Sequence, residues 1–490
     1  MTIYIVNHSF HYEMENLVRM FFPNEKISVV QGDIIEENSS YIITRLYHKG
    51  NNIVVSAKLC FGDYHKEASE SVSFCEDEEK ETERTMAVVL YRLLSEMTGI
   101  KQPWGILTGV RPIKLFRRLT EKYGETGAKA YFTDRLLVSD EKTNLSSLTE
   151  KYERNILSLS RDESCSLYVS IPFCPTRCSY CSFVSQTIER AKNLVQPYLE
   201  LLCKELEYTA EIIKEKKLRL ESVYIGGGTP TTLNSIQLDT LISVIRNNFD
   251  LSLCREFTIE AGRPDTITEE KLLAIRNGGV DRISINPQTL NDHVLEVIGR
   301  KHNSAQTFEA YELARNLGFD HINMDLIAGL PTDTTESYRS TLDKICELDP
   351  ESITVHTLAL KRSSKLTLQG SGVTDESGKA AYEMLAYGEK KLTKSGYIPY
   401  YLYRQSRMEG NLENVGWSKK GYEGIYNVFV MDETHTIIGC GAGAVTKLKV
   451  PGRDSLTRIF NYKYPYEYIN GFDEMLKRKD QVRTFYDELS

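Results

Sequence analysis

No run of apolar residues in this 490-residue chain approaches the ~18 that a bilayer crossing needs. The opening Met-Thr-Ile-Tyr-Ile-Val-Asn-His also lacks the basic flank and long apolar core of a signal peptide. A membrane span and export are therefore not expected, and the cytoplasm is the expected compartment. Basic excess is missing too: 60 Lys and Arg stand against 68 Asp and Glu, for a net charge of −8. Phosphate binding asks for a basic surface, so a nucleic-acid partner is not expected. Cysteine is sparse, ten residues in all, and mostly scattered, which fits a reducing compartment better than a disulfide scaffold. None of the nine histidines lies within a hundred residues of the one place where cysteines gather.

That place is the stretch Tyr168-Val-Ser-Ile-Pro-Phe-Cys174-Pro-Thr-Arg-Cys178-Ser-Tyr-Cys181, an apolar strand running into a loop. A structural zinc site wants four Cys or His ligands, usually as two separated pairs. No second pair exists, because Cys60, Cys75, Cys165, Cys203, Cys254, Cys346 and Cys440 are isolated. Cubane iron-sulfur clusters are usually held by four thiolates, so a compact set of three leaves one iron open to a small molecule.

The length exceeds what one core supports, and several domains are expected. Residues 1–100 read as a small α+β domain with strands at Ile3–Val6, Ile27–Val30, Tyr41–Tyr47 and Ile53–Leu59 and a helix between the first two. The acidic, Ser-rich stretch from Glu67 to Glu83 reads as a solvated loop leading into a helix that starts near Glu81. Residues 101–160 read as a largely helical connector. From Leu167 the pattern becomes strand then helix, six times over, with strands at Leu167–Ile171, Ser222–Ile225, Glu256–Glu260, Arg282–Ile285, His321–Ile327 and Ser352–Thr357. Six βα units predict a parallel sheet, and six rather than eight predict a partial, TIM-like barrel over residues 161–370. Residues 371–490 read as a mixed, aromatic- and Gly-rich C-terminal domain.

In such sheets active-site residues collect where strands end. The cysteines follow the first strand, and Gly226-Gly227-Gly228-Thr229-Pro230 follows the second, where bare backbone can approach a ligand closely. The spacing Cys-x3-Cys-x2-Cys resembles that of the radical S-adenosylmethionine enzymes, and the glycine string after it is similar to the amino-group loop of the coproporphyrinogen dehydrogenase superfamily. Tyr168, Glu260, Gln288, Arg300 and Asp325 fall where the oxygen-independent coproporphyrinogen III dehydrogenases carry cofactor-binding residues. Leu107-Thr-Gly-Val-Arg-Pro, Tyr400-Tyr-Leu-Tyr-Arg-Gln405 and Glu413-Asn-Val-Gly-Trp417 point to the branch called HemZ.

The resemblance implies a 4Fe-4S cluster on Cys174, Cys178 and Cys181 and one or two molecules of S-adenosylmethionine, cleaved reductively to methionine and a 5′-deoxyadenosyl radical. Cys174, Cys178, Cys181 and Arg300 are the implied catalytic set. Tyr168, Gly226, Gly227, Gly228, Thr229, Glu260, Gln288, Arg300 and Asp325 are the implied cofactor contacts. The implied reaction is decarboxylation of coproporphyrinogen III to protoporphyrinogen IX, with a donor such as flavodoxin or ferredoxin and a monomeric enzyme as the expectation. Arg263, Lys361, Arg362, Arg404 and Arg407 are candidates for the substrate carboxylates. Two departures stand against direct transfer of the reaction: Phe183 replaces a further cysteine, and Ser170 replaces a histidine. The alternatives are a haem chaperone, with His302, His356 or His435 as ligand, and a radical opening of the haem ring. The chaperone branch usually has a His-Asn pair where this chain has Glu413-Asn414.

Overall fold

The computed structural model describes residues 1–32, 40–72, 77–183, 185–359, 364, 375–405 and 408–489. It separates into two compact units. One comprises Met1–Leu148, Ser371–Lys379 and Tyr403–Glu413; the other comprises Thr149–Gly370, Ala380–Leu402 and Asn414–Ser490.

In the first unit, β1 (Thr2–Val6), β2 (Ser28–Gln31), β3 (Ser40–Lys49), β4 (Asn52–Phe61) and β5 (Tyr64–Ser71) form one sheet in the order β2-β1-β3-β4-β5. The β1–β2 pair is parallel. Its crossover is α1 (His11–Phe21), which buries Met14, Leu17, Val18 and Phe21. The expected loop from Glu67 to Glu83 is corrected here. Glu67 to Ser71 belong to β5, and α2 (Glu78–Thr98) starts three residues earlier than the sequence predicts, with the Asp77 side chain accepting from the Lys80 N–H. Residues 73–76 lie outside the described residues. The strand was hidden because β5 is a sheet edge, mostly exposed and paired only to β4, so it carries charge without apolar alternation. Glu81, read as a solvated start, is buried against Arg84 at 2.6 Å and against Arg135.

The rest of this unit includes α3 (Pro112–Ala130) and the first part of α4 (Asp140–Leu157). Trp104 is fully buried and donates through Nε1 to Glu413 at 2.7 Å. The other Glu413 oxygen takes Lys142 Nζ at 2.6 Å, both side chains being buried.

The second unit is built on an eleven-stranded sheet in the order β14-β15-β13-β12-β11-β10-β9-β6-β16-β17-β18. In chain order its strands are β6 (Ser164–Ile171), β9 (Arg219–Gly227), β10 (Glu256–Glu260), β11 (Arg282–Ser284), β12 (Ile322–Ala328), β13 (Ser352–Thr357), β14 (Ile398–Tyr403), β15 (Asn414–Ser418), β16 (Thr436–Cys440), β17 (Val445–Lys449) and β18 (Leu456–Phe460). The small parallel pair β7 (Phe173–Cys174) and β8 (Gln186–Thr187) stands apart from it. The six expected strands are β6, β9, β10, β11, β12 and β13, each parallel to the next. A seventh, β16, extends the parallel set beside β6, and the sheet stays open, with antiparallel strands beyond β13 and β16.

Helices cross between the parallel strands: α5 (Ile188–Glu215), α6 (Ser235–Asn248), α7 (Glu269–Asn277), α8 (Asp292–Val297), α9 (Ser304–Asn316) and α10 (Thr335–Leu348). On α5, Leu199, Leu202, Leu206, Ala210 and Ile213 are buried, the stripe that the spacing predicts. Two starts are fixed by reciprocal caps, Asn234 with Gln237 and Asn303 with Gln306. Among the described residues no helix is long and apolar enough to cross a membrane.

Candidate functional site

The carboxyl ends of the parallel strands carry the site. Cys174 lies in β7 just past β6, with Cys178 and Cys181 in the loop that follows. This loop is docked on the segment after α8: Ser179 N–H donates to Ile298 O at 2.9 Å, and Thr176 Oγ1 to Gly299 O at 2.9 Å. All three cysteines are free thiols, Cys178 buried and the others half-buried. Burial raises the Cys174 thiol and pushes Cys181 up to about 11, so a metal would have to displace protons there. Among the described residues no three His, Cys, Asp or Glu converge as a single metal ion would require. A cluster is less demanding, since each of its thiolates takes a different iron.

The glycine loop lies against Cys174. A Cβ on Gly228 would stand 2.6 Å from Phe173 O and 3.0 Å from Cys174 Sγ, and one on Gly226 would stand 2.9 Å from Glu260 Oε1. Gly227 has φ +108°. Glycine is therefore required by space at two positions and by backbone at the third. The N–H groups of Gly228 and Thr229 donate to Ile171 O and Phe173 O at 2.8 and 2.7 Å, so they hold the loop rather than a ligand. Thr229 Oγ1 reaches Cys174 Sγ at 3.6 Å.

Next along the sheet, Tyr224 donates its hydroxyl to Glu260 Oε1 at 2.6 Å. Tyr168 and Tyr224 are register partners on β6 and β9, and Tyr426 stacks on Tyr224 at 4.5 Å between centroids. Burial pushes the Glu260 carboxyl up to about 7, against the Tyr224 hydrogen bond and with help from the charge of Asp325. Burial also opposes the charge on Asp325, but His356, Asn323 and Thr354 outweigh it and hold that carboxyl below its ordinary range. Asn323 Nδ2 donates to Asp325 Oδ1 at 2.7 Å, and His356 Nε2 stands 3.8 Å from Asp325 Oδ2.

Gln288 sits at φ +69°, its N–H donating to Asp325 O at 2.9 Å and its carbonyl accepting from Ile327 N–H at 3.0 Å. A glutamine in left-handed backbone is uncommon and marks strain. Its buried Oε1 has no hydrogen-bond partner. Arg300 donates to Asn286 O at 2.5 Å, faces Tyr180 and Cys178, and leaves a buried Nε without an acceptor. Unpaired buried polar atoms are costly, and these two fit a polar ligand.

Most of the residues named from the sequence thus lie as neighbours around the strand ends: Cys174 beside Thr229 and Gly228, Gly226 beside Glu260, Asp325 close enough for its charge to act on Glu260, and Gln288 bonded to Asp325. From Asp325 the neighbours lead back through Asn286 and Arg300 to Cys178. Sequence reasoning missed Tyr224, Tyr426 and Asn286, and it named His356 only as a haem ligand of the chaperone alternative, whereas the structure sets it beside Asp325. Tyr224 had a signal, since it lies near the end of an expected strand.

The substrate candidates fare differently. Arg263 is 3% exposed and bound to Asp265, and Arg404 is buried in the first unit, donating to Leu107 O and Asn411 O at 2.5 and 2.8 Å. Neither is an open rim charge. Lys361, Arg362 and Arg407 lie outside the described residues. Of the histidines, His435 has both ring nitrogens engaged, by Ser160 and Ser166 at 2.8 Å each, and His302 is 2% exposed. Phe183, at the departed cysteine position, is 65% exposed. Ser170 donates to Ala442 O at 2.8 Å.

An open parallel sheet with this chemistry at its strand ends defines a radical S-adenosylmethionine protein, and the Radical SAM superfamily model matches residues 168–345. The chain belongs, within that superfamily, to the family of the oxygen-independent coproporphyrinogen-III oxidase-like protein HemZ of Bacillus subtilis, to which it is 37% identical over 487 residues, 96% of each chain. It is also 29% identical over 309 residues to the heme chaperone HemW of Haemophilus influenzae, covering 62% of this chain and 76% of the relative. Among solved structures, the coproporphyrinogen III oxidase HemN of Escherichia coli matches with a TM-score of 0.50 at 24% identity, over 69% of this chain and 74% of that one. That likeness concerns the fold.

Proposed function

We propose that this protein decarboxylates coproporphyrinogen III to protoporphyrinogen IX without oxygen. The observation that carries the reading is the gathering of these residues around the strand ends, with two buried polar atoms left for a ligand. Cys174, Cys178 and Cys181 would hold a 4Fe-4S cluster, and the glycine loop, Thr229, Tyr168, Glu260, Gln288, Arg300 and Asp325 would hold S-adenosylmethionine. When bound, that pair would supply a carbon radical able to take a hydrogen atom from a propionate β-carbon; loss of carbon dioxide, with one electron passed to a one-electron acceptor, would then leave a vinyl group.

The chain's own residues bind and orient. Arg300 suits the carboxylate of the methionine moiety, and Asp325, kept ionised by His356 and its donors, suits ribose hydroxyls. Glu260, titrating near 7, can donate or accept at a hydroxyl or ammonium. Tyr168, Tyr224 and Tyr426 gather three near-parallel rings beside Glu260. A one-electron donor such as flavodoxin or ferredoxin would supply the reducing electron.

The test is an anaerobic incubation of the reconstituted protein with dithionite, S-adenosylmethionine and coproporphyrinogen III, with products resolved by mass. Loss of two carboxyl groups together with 5′-deoxyadenosine is the expected result. Deoxyadenosine without decarboxylation would reject this substrate and turn attention to haem binding, in line with the relative named a heme chaperone.

A further inference from the structure

Just past β10, the string Glu260-Ala-Gly-Arg263-Pro-Asp265 places a guanidinium where the cysteine loop is most buried. Arg263 Nε and Nη2 each donate to a different oxygen of Asp265 at 2.9 Å. Its Nη1 donates to Thr176 Oγ1 at 3.1 Å and stands 4.0 Å from Cys178 Sγ. The backbone is fixed as well, because Arg263 O accepts from both the Thr266 N–H and its hydroxyl at 2.9 and 2.7 Å. The buried His302 also stands near Asp265, with Nδ1 3.9 Å from Oδ1. Arg300 also faces Cys178, and the charge of Arg177 acts on Cys181 in the same loop.

We infer that Arg263 is a positioning residue that raises the reduction potential of a cluster ligated by Cys178. The inference rests on the cluster reading of the cysteine loop. The two-toothed brace fixes the guanidinium in one orientation, and although Asp265 offsets part of its charge, the Nη1 N–H is left turned toward the cysteine loop. A buried ion pair does little for stability compared with apolar packing, so the arrangement is hard to explain by stability alone. Positive charge and N–H groups at a cluster's thiolate favour the reduced, more negative state. Removing them makes the cluster harder to reduce. Arg263 acts here through Cys178, with no role as a substrate ligand.

The experiment compares wild type, Arg263→Gln and Arg263→Lys after anaerobic reconstitution, measuring iron and sulfide per chain and then the midpoint by EPR-monitored redox titration. Arg263→Gln is expected to take up the cluster and to show, at a fixed poise, an about tenfold lower ratio of reduced to oxidised cluster, ~59 mV for one electron. Arg263→Lys, which keeps the charge, is expected to recover part of that shift. An unchanged midpoint in Arg263→Gln, or equal shifts in both variants, would overturn the inference. Should Arg263→Gln take up no cluster, uptake restored by Arg263→Lys supports the assignment, and loss in both variants overturns it. A wild-type chain that binds no iron would reject the cluster reading itself.

Discussion

The Tyr224 hydroxyl donates to Glu260 Oε1 at 2.6 Å while its ring stacks on Tyr426 at 4.5 Å. One strand residue thus ties a carboxylate to a stacked aromatic pair, with Tyr168 beside it on the neighbouring strand.

The Glu260 carboxyl gives a stability signature. Its value rises from 4.5 to about 7 on folding, so between those values the folded chain holds a proton that the unfolded chain has released. Stability is then lost as pH rises through that window and is level above it. At ~1.4 kcal/mol per unit the loss is at most about 3 kcal/mol. Glu260→Gln removes it, so the melting temperature of the variant relative to wild type should climb from pH 5 to pH 8. A constant difference across that range would contradict the shift.

Cys178→Ala should abolish both the cluster absorbance and the reductive cleavage of S-adenosylmethionine in reconstituted protein. Either signal surviving near wild-type level would mean that the cluster sits elsewhere.

Gly228→Ala tests the closeness of two loops. The added carbon would meet Phe173 O at 2.6 Å and Cys174 Sγ at 3.0 Å, and backbone must move, at a cost of about 1–3 kcal/mol. Iron content per chain is expected to fall several-fold, with a lowered melting temperature. Full iron loading would show that the loops can part without consequence.

In the first unit, Lys142→Met should destabilise by about 3–5 kcal/mol, because it removes the ammonium that sits 2.6 Å from the buried Glu413 carboxylate. Adding Glu413→Gln to it should restore much of that loss. Denaturant titrations of the two single variants and the double variant read the coupling, and additive effects would show that the pair is not linked.

The parallel strands were legible because each is a short β-branched or aromatic run followed by a stretch of helical pattern: β10 and β13 have the ends that the sequence predicts, Glu256–Glu260 and Ser352–Thr357. Strand β16 was not, since its partner β6 lies some 270 residues away and Thr-Ile-Ile-Gly-Cys is too short to announce itself. The charged edge strand β5 was lost for the opposite reason, having no buried face to give a period. At the site, ligand-type residues at strand ends could be named, but their second neighbours could not. Nothing in Glu-Ala-Gly-Arg-Pro-Asp says that Arg263 turns inward to Asp265 and Cys178 rather than outward to a carboxylated substrate.

Gln288 bears on how this chain has been shaped. Glycine would occupy φ +69° without strain and would bury no unsatisfied amide oxygen. For folding alone, then, glutamine is the poorer choice, and Gln288→Gly would make a sturdier apoprotein. On the proposed reading it would also grip S-adenosylmethionine less well, so that at this one position robustness and competence would pull in opposite directions.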